Sequence, residues 1–165
     1  MTDELDHVSN SNLIAAYARG PADLANALQS VSPDEWDARP VPSQWSLREL
    51  VCHLVDSEIV YADRMKRVIA EDRPTFFEAA PDQHVPALAG SSRCMEKELA
   101  LIASIRDHMR PILQACSEEQ FARNGIHSLD GPMDLRTLLR RISGHIPHHL
   151  FFVKQKRKLL AKQPE

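Results

Sequence analysis

No stretch of this 165-residue sequence approaches the roughly 18 consecutive apolar residues of a membrane-spanning helix. A one-sided charge is missing too: the formal net charge is −3, which gives no electrostatic footprint for nucleic acid. The basic run Lys154-Gln155-Lys156-Arg157-Lys158 is a single cluster at a helix end, where cations suit the local dipole, and we expect a solvated C-terminal turn. Paired cysteines are absent. Cys52, Cys94 and Cys116 are odd in number and scattered with no CxxC, which argues against a disulfide framework and for a reduced, cytoplasmic chain. Met1 to Asp6 is acidic and lacks an apolar core, so no secretory signal is expected. No segment of length alternates like a strand, and there is no internal repeat. The remaining composition, 43% hydrophobic and 26% charged, suits one globular domain. We expect it to span residues 1–165, with flexible ends at about 1–8 and 161–165.

Helical periodicity fills most of the chain. The first segment runs from about Ser9 to Ser30, with a kink or break expected at Gly20-Pro21. Ser32-Pro33-Asp34-Glu35-Trp36 reads as a short capped turn, and Pro40 and Pro42 impose an extended connector. A second long helix starts at Ser43 or Ser46, where Ser46-Leu47-Arg48-Glu49 has capping-box spacing, and ends near Asp72 before Pro74. Arg73 to Gly90 has too little periodicity for an element and reads as a long loop, a candidate lid. A third helix runs from Ser91 or Ser92 toward Ala115, bent or interrupted at Pro111, and Ser117 to Phe121 is another short turn. After the punctuation at Asn124-Gly125 and Asp130-Gly131-Pro132, a fourth helix runs from near Asp134 to about Leu160. Four long helices with irregular connections predict an all-α four-helix bundle.

The chemistry rests on histidines. On the fourth helix, Leu135, Leu138, Leu139, Ile142, Ile146 and Val153 share one arc of roughly 100°. His149 lies inside that arc, His145 at its edge and His148 well outside, so the inward pair is His145 with His149. On the second helix His53 flanks the arc of Leu47, Leu50, Leu54, Tyr61, Met65 and Val68, on a row with Ser57, Val60 and Arg64. Residues at i and i+4 face the same way on a helix, so two imidazoles so placed can reach one ion at about 2.0–2.1 Å. Gly144 and Pro147 beside that pair weaken the helix, as strain at a site would, or mark a helix that begins only at Pro147. Two readings stay open on the residues alone: a metal shared by His53, His145 and His149, or hydrogen-bonded core histidines. His7, His84, His108 and His127 are expected at the surface, with His84 in the candidate lid.

Gln44-Trp45-Ser46-Leu47-Arg48-Glu49-Leu50-Val51-Cys52-His53-Leu54-Val55-Asp56-Ser57-Glu58 resembles the start of the second helix in the DinB superfamily. Glu71-Asp72-Arg73-Pro74 resembles its YfiT-like branch, which includes bacillithiol S-transferases, and His145-Ile146-Pro147-His148-His149 falls where the family carries an HxxxH pair. The likeness extends from about Leu13 to Leu160. It implies an up-down-down-up four-helix bundle, commonly a homodimer, with zinc or nickel held by His53, His145 and His149. Asp56, one turn beyond His53, becomes a candidate fourth ligand or neighbour of the ligands.

Three protein ligands leave positions open, as in catalytic rather than structural sites. A metal there could activate water, or bind a small thiol as thiolate for attack on an electrophile. Ile146 stands where a zinc protease of the HExxH type has its glutamate, which argues against that mechanism. The first expectation is therefore a metal-dependent thiol S-transferase acting on a small-molecule substrate in detoxification or stress response, with a low-molecular-weight thiol as co-substrate. Alternatives are a metal-dependent hydrolase and a non-enzymatic metal-binding or dimerising bundle. Arg64, Asp56 and Ser57 are the candidate substrate contacts, and Arg64 and Arg67 could meet a carboxylate of the thiol. No nucleic acid or membrane is expected as a partner.

Overall fold

Capping chemistry sets the helix starts. In the computed structural model, which describes residues 8–88 and 90–161, Ser9 accepts the Asn12 N–H and opens α1 (Asn10–Ala27). Ser32 with Glu35 and Ser46 with Glu49 form reciprocal capping boxes for α2 (Pro33–Asp37) and α3 (Leu47–Ala70). The seven-residue α4 (Pro81–Ala87) and the long α5 (Met95–Gln114) start without a side-chain cap. Ser117 with Gln120 boxes α6 (Glu118–Phe121), and Asp134 accepts the Thr137 N–H to open α7 (Leu135–Leu160). The expected flexible ends lie outside the described residues except for Val8, packed against the core, and Ala161, the C-cap of α7.

The long helices α1, α3, α5 and α7 form an up-down-down-up bundle in which α1 and α3 each pack against both α5 and α7. One apolar cluster gathers Leu13, Tyr17, Met65, Met109 and Leu138, and a second gathers Leu24, Val51, Val55, Ile102 and Ile146. Among the described residues, no helix is long and apolar enough to cross a membrane.

The prolines do not break their helices. At Pro21 the missing N–H leaves the Tyr17 carbonyl free, and Arg106 of α5 takes it through Nη1 at 2.7 Å. Gly20 makes the room, because a Cβ there would overlap the same guanidinium. The rest of the Arg106 head is used as fully: Nε reaches Glu58 of α3 at 3.0 Å, and Nη2 reaches both Glu58 and the Ile142 carbonyl of α7. The Tyr17 hydroxyl donates to the other Glu58 oxygen at 3.3 Å, and its ring lies 4.4 Å below the guanidinium carbon. The expected kink is thus replaced by a cross-helix hydrogen bond. Pro111 and Pro147 sit at exposed positions of continuous helices, so α7 does not begin at Pro147.

Two stretches read as structureless are not. Residues 73–90 contain β1 (Thr75–Phe76) and α4, and the connector before α7 contains β2 (Asn124–His127) and β3 (Gly131–Asp134). β1 pairs parallel with β2, matching Phe76 to His127, while β2 and β3 form an antiparallel hairpin. Strands of two to four residues are too short to show alternation, and β1 finds its partner across the whole of α5. Gly125 is required here, since any Cβ would run into the Phe76 ring.

Candidate metal centre

His53 stands in the second turn of α3, 9% exposed, with the Trp45 ring 4.8 Å away between centroids. His145 and His149, one turn apart on α7, face it. The His145 Nε2 lies 3.0 Å from that of His53 and 3.1 Å from that of His149, and one donor nitrogen from each ring falls within 4.8 Å of the others. The three rings meet steeply, centroids 4.7–5.0 Å apart. His148 touches His149 and Phe152 by its ring but is not in the cluster. The helical arithmetic thus selected the three residues that converge.

The donor set fits a cation. Each imidazole nitrogen has one in-plane valence, either a hydrogen or a lone pair, so His145 Nε2 cannot satisfy two ring nitrogens at hydrogen-bond distance. Three lone pairs converging on one ion can all be satisfied, with the protons on Nδ1. The Nδ1 atoms of His145 and His149 are buried with no hydrogen-bond partner among the described residues, and the contacts between the rings run through Nε2. Burial, and secondarily the neighbouring His149 and His53, lowers the His145 pKa to about 3; burial and the neighbouring His53 lower that of His149 to about 4. Burial lowers His53 as well, against the opposing pull of Asp56. All three are therefore neutral near pH 7, the ligating form.

These shifts set a pH dependence for the metal-free protein. An unfolded histidine titrates near 6.5, so from there down to about 4 the unfolded chain binds protons that the folded one refuses. Stability is complete above about pH 6.5 and falls with pH, by up to roughly 1.4 kcal/mol per unit for each histidine. Urea melts of chelator-treated protein between about pH 4.5 and 8 should show a steeper acid loss than the His145→Ala/His149→Ala variant. Equal slopes would contradict neutral burial.

A cavity of about 280 Å³ opens on His53 and His145. Its walls come from Asp56, Ser57, Tyr61 and Arg64 of α3, from Pro81, His84 and Val85 of α4, from the β2–β3 hairpin, and from Arg141. A second cavity, of about 380 Å³, is lined by His149, His148, Trp45, Phe152, Lys156 and Asp82. The histidine cluster stands between them, and α4 contributes to both.

The expected contacts Arg64, Asp56 and Ser57 all line the first cavity. Both Asp56 oxygens are taken by Arg93 Nη1 at 3.0 Å, and Arg93 also holds Glu98. Arg67 is not in the lining: it binds Glu71 and the Thr75 carbonyl. His127, expected at the surface, is 7% exposed and lines the cavity, because it belongs to a strand the sequence does not announce. His84 is half-buried in the same wall, His108 is exposed as expected, and His7 lies outside the described residues. The basic run is not wholly solvated either. Lys156 is 4% exposed with Nζ 3.4 Å from Gln44 Oε1, because its stem faces the bundle, and Arg157 caps the Ala27 carbonyl. Sequence reasoning missed His127, Arg93 and Arg141: His127 and Arg93 reach the site through folded connectors, while Arg141 stands on α7 one turn before His145.

A family model described as the DinB superfamily matches residues 16–152. A protein of Oceanobacillus iheyensis, provisionally named a metal-dependent hydrolase, is 23% identical over 132 residues, covering 79% of this chain and 75% of its own. Among solved structures, YfiT from Bacillus subtilis, described provisionally as a metal-dependent hydrolase with an unusual four-helix bundle topology, superposes with a TM-score of 0.87 at 19% identity. That match covers 96% of this chain and 93% of YfiT. A mycothiol-dependent maleylpyruvate isomerase superposes with a TM-score of 0.69 at 14% identity, covering 87% of this chain and 60% of its own.

Proposed function

The chain belongs to the DinB superfamily, and from that premise we propose that it is a metal-dependent thiol S-transferase, joining a low-molecular-weight thiol to a small electrophile. The observation that carries the reading is the convergence of His53, His145 and His149 Nε2 atoms at the wall of a cavity. Zinc or nickel, bound there, supplies Lewis acidity that makes a thiol nucleophilic at neutral pH. The chain's own part is to keep three imidazoles neutral and aimed at one point, held by the packing of α3 against α7. Arg93 keeps Asp56 from swinging toward the histidines. Cavities on both sides of the cluster suit a reaction with two substrates. Two of the three lining carboxylates are committed elsewhere, Asp56 to Arg93 and Asp130 to Arg141, and the third, Glu78, is exposed. A thiol that ionises on the metal needs no carboxylate base, whereas water attack ordinarily uses one. The resemblance to the mycothiol-dependent isomerase points the same way. A homodimer, a cytoplasmic address and a role in detoxification or stress response go with this reading, the address in keeping with three free cysteines.

One observation favours hydrolysis as a second reading, besides the names of the relatives. Glu78, exposed in the wall of the first cavity, forms no ion pair among the described residues and is free to act as a base. The test uses zinc- or nickel-loaded protein with bacillithiol, mycothiol or glutathione and a chromogenic chlorodinitrobenzene. The expected result is metal-dependent thioether formation: a C–S bond forms, the C–Cl bond breaks, chloride leaves and the thiol proton passes to solvent. Ester or amide cleavage without thiol, abolished by Glu78→Gln, would establish the hydrolase instead.

A further inference from the structure

Arg64 is a buried cation without a counter-ion. Its residue is 6% exposed, it lines the cavity that opens on His53 and His145, and among the described residues no carboxylate pairs with it. Its guanidinium donates through Nη2 to the Phe77 carbonyl and lies 5.3 Å from the Tyr61 ring centre and 5.9 Å from that of Phe76. That engages one of the group's five N–H donors, and Asp130 and Asp63 act on the charge only through space, without a direct ion pair. Buried charges are ordinarily paired, so an unpaired one at a cavity wall marks the place of an absent anion. The other charges of the lining do not bond to it: Asp56 is held by Arg93, Asp130 acts on Arg64 only at a distance while Arg141 holds it at 2.6 Å, and Glu78 is exposed.

A second donor faces the same space. His127 Nδ1 accepts the backbone N–H groups of Leu129 at 3.4 Å and Asp130 at 3.2 Å. An accepting Nδ1 in a neutral ring puts the proton on Nε2, which has no acceptor among the described residues although the residue is 7% exposed and lines the cavity. The tautomer is set by the hairpin backbone, so the donor is preorganised. A guanidinium fork plus a fixed N–H is a donor set for an oxyanion.

We propose that Arg64 and His127 form an oxyanion subsite in the histidine cavity, seating a carboxylate or phosphate of the small-molecule substrate. The substrate's reacting end then lies toward His53 and His145. This deepens the transferase reading and rests on it only for what happens at the histidines. The small sheet acquires a purpose: β1 leads into the Phe77 carbonyl that holds Arg64, and β2 carries His127.

The test titrates isotope-labelled protein, zinc-loaded and metal-free, with glutarate, inorganic phosphate and the uncharged glutaramide, following amide and His127 ring resonances. Wild type should bind at least one of the two anions roughly ten-fold or more tightly than glutaramide, metal-free protein included. Which anion binds better separates a carboxylate from a phosphate substrate. Arg64→Met should erase the preference, and Arg64→Lys should keep part of it. His127→Phe should weaken anion binding as well, which keeps the proposal testable should Arg64→Met not fold. No anion preference in wild type, or an unchanged preference in Arg64→Met or His127→Phe, overturns the subsite. Binding that persists while zinc uptake fails would sink the metal reading and leave the subsite standing.

Discussion

Replacing His149 with alanine should take bound zinc or nickel from about one equivalent per chain to almost none. Among the described residues these three histidines are the group that could hold an ion, and two imidazoles fall short of the three protein ligands that catalytic zinc sites use. Asp56 is outside the convergent group, and Arg93 bonds to both its oxygens, so it should not replace the lost imidazole. The loss should exceed about 100-fold in affinity, beyond the 10–100-fold typical of removing a group that only supports a ligand. His145→Ala should match it. His148→Ala should retain the metal, because His148 meets His149 only by its ring. The measurement is elemental analysis of untagged protein with parallel melts, alanine being helix-compatible at all three positions. Metal absent from wild type even after titration with zinc and nickel would make the histidines a buried polar cluster and the protein a helical interaction module.

Glu58→Gln should cost about 3–5 kcal/mol, because it leaves the buried Arg106 charge without its counter-ion. A domain of this kind has about 5–15 kcal/mol in all, so the variant should be close to unfolding at physiological temperature. At roughly 2–4 °C per kcal/mol, the Tm should fall by roughly 6–20 °C. Glu58 loses two roles at once: it receives two nitrogens of Arg106 and the Tyr17 hydroxyl. The paired change Glu58→Leu with Arg106→Met should recover part of the loss, since removing both charges is cheaper than stranding one. The carbonyls of Tyr17 and Ile142 still lose their donor, so recovery should be incomplete. Thermal and urea melts of the three proteins measure this. Glu58→Gln melting within about 2 °C of wild type would contradict the account.

The long helices and the metal-ligand candidates were legible because both are written in local spacing. Ser46 and Glu49 announce a helix start three residues apart, and His145 and His149 share a face because they are four apart. That His53 meets them is a packing fact, which the flank of an apolar arc and the family resemblance together anticipated. The anion-donor wall was not legible. Arg64 could be placed on the right row, but His127 reaches the cavity only through a two-residue strand pairing formed across α5. Gly20-Pro21 misled in an instructive way: the local rule predicts a break, while the compensating group, Arg106, lies 85 positions further on. Lys156 was misjudged for a related reason, because its methylene stem reaches the core edge while its ammonium finds Gln44.

The parallel pairing of β1 with β2 has a consequence for how this chain can change length. Connectors of a helical bundle ordinarily tolerate insertions and deletions, being surface segments with few obligations. Here residues 71–94 and 115–134 are stitched to each other by Thr75 opposite Ile126 and Phe76 opposite His127, so neither can lengthen near the stitch without shifting the other. A residue added between Phe121 and Ile126 would turn His127 to the opposite face of its strand. The freedom to grow is left to the irregular segment between α2 and α3, which makes no strand pairing, and not to the hairpin tip, whose Leu129 and Asp130 hold His127.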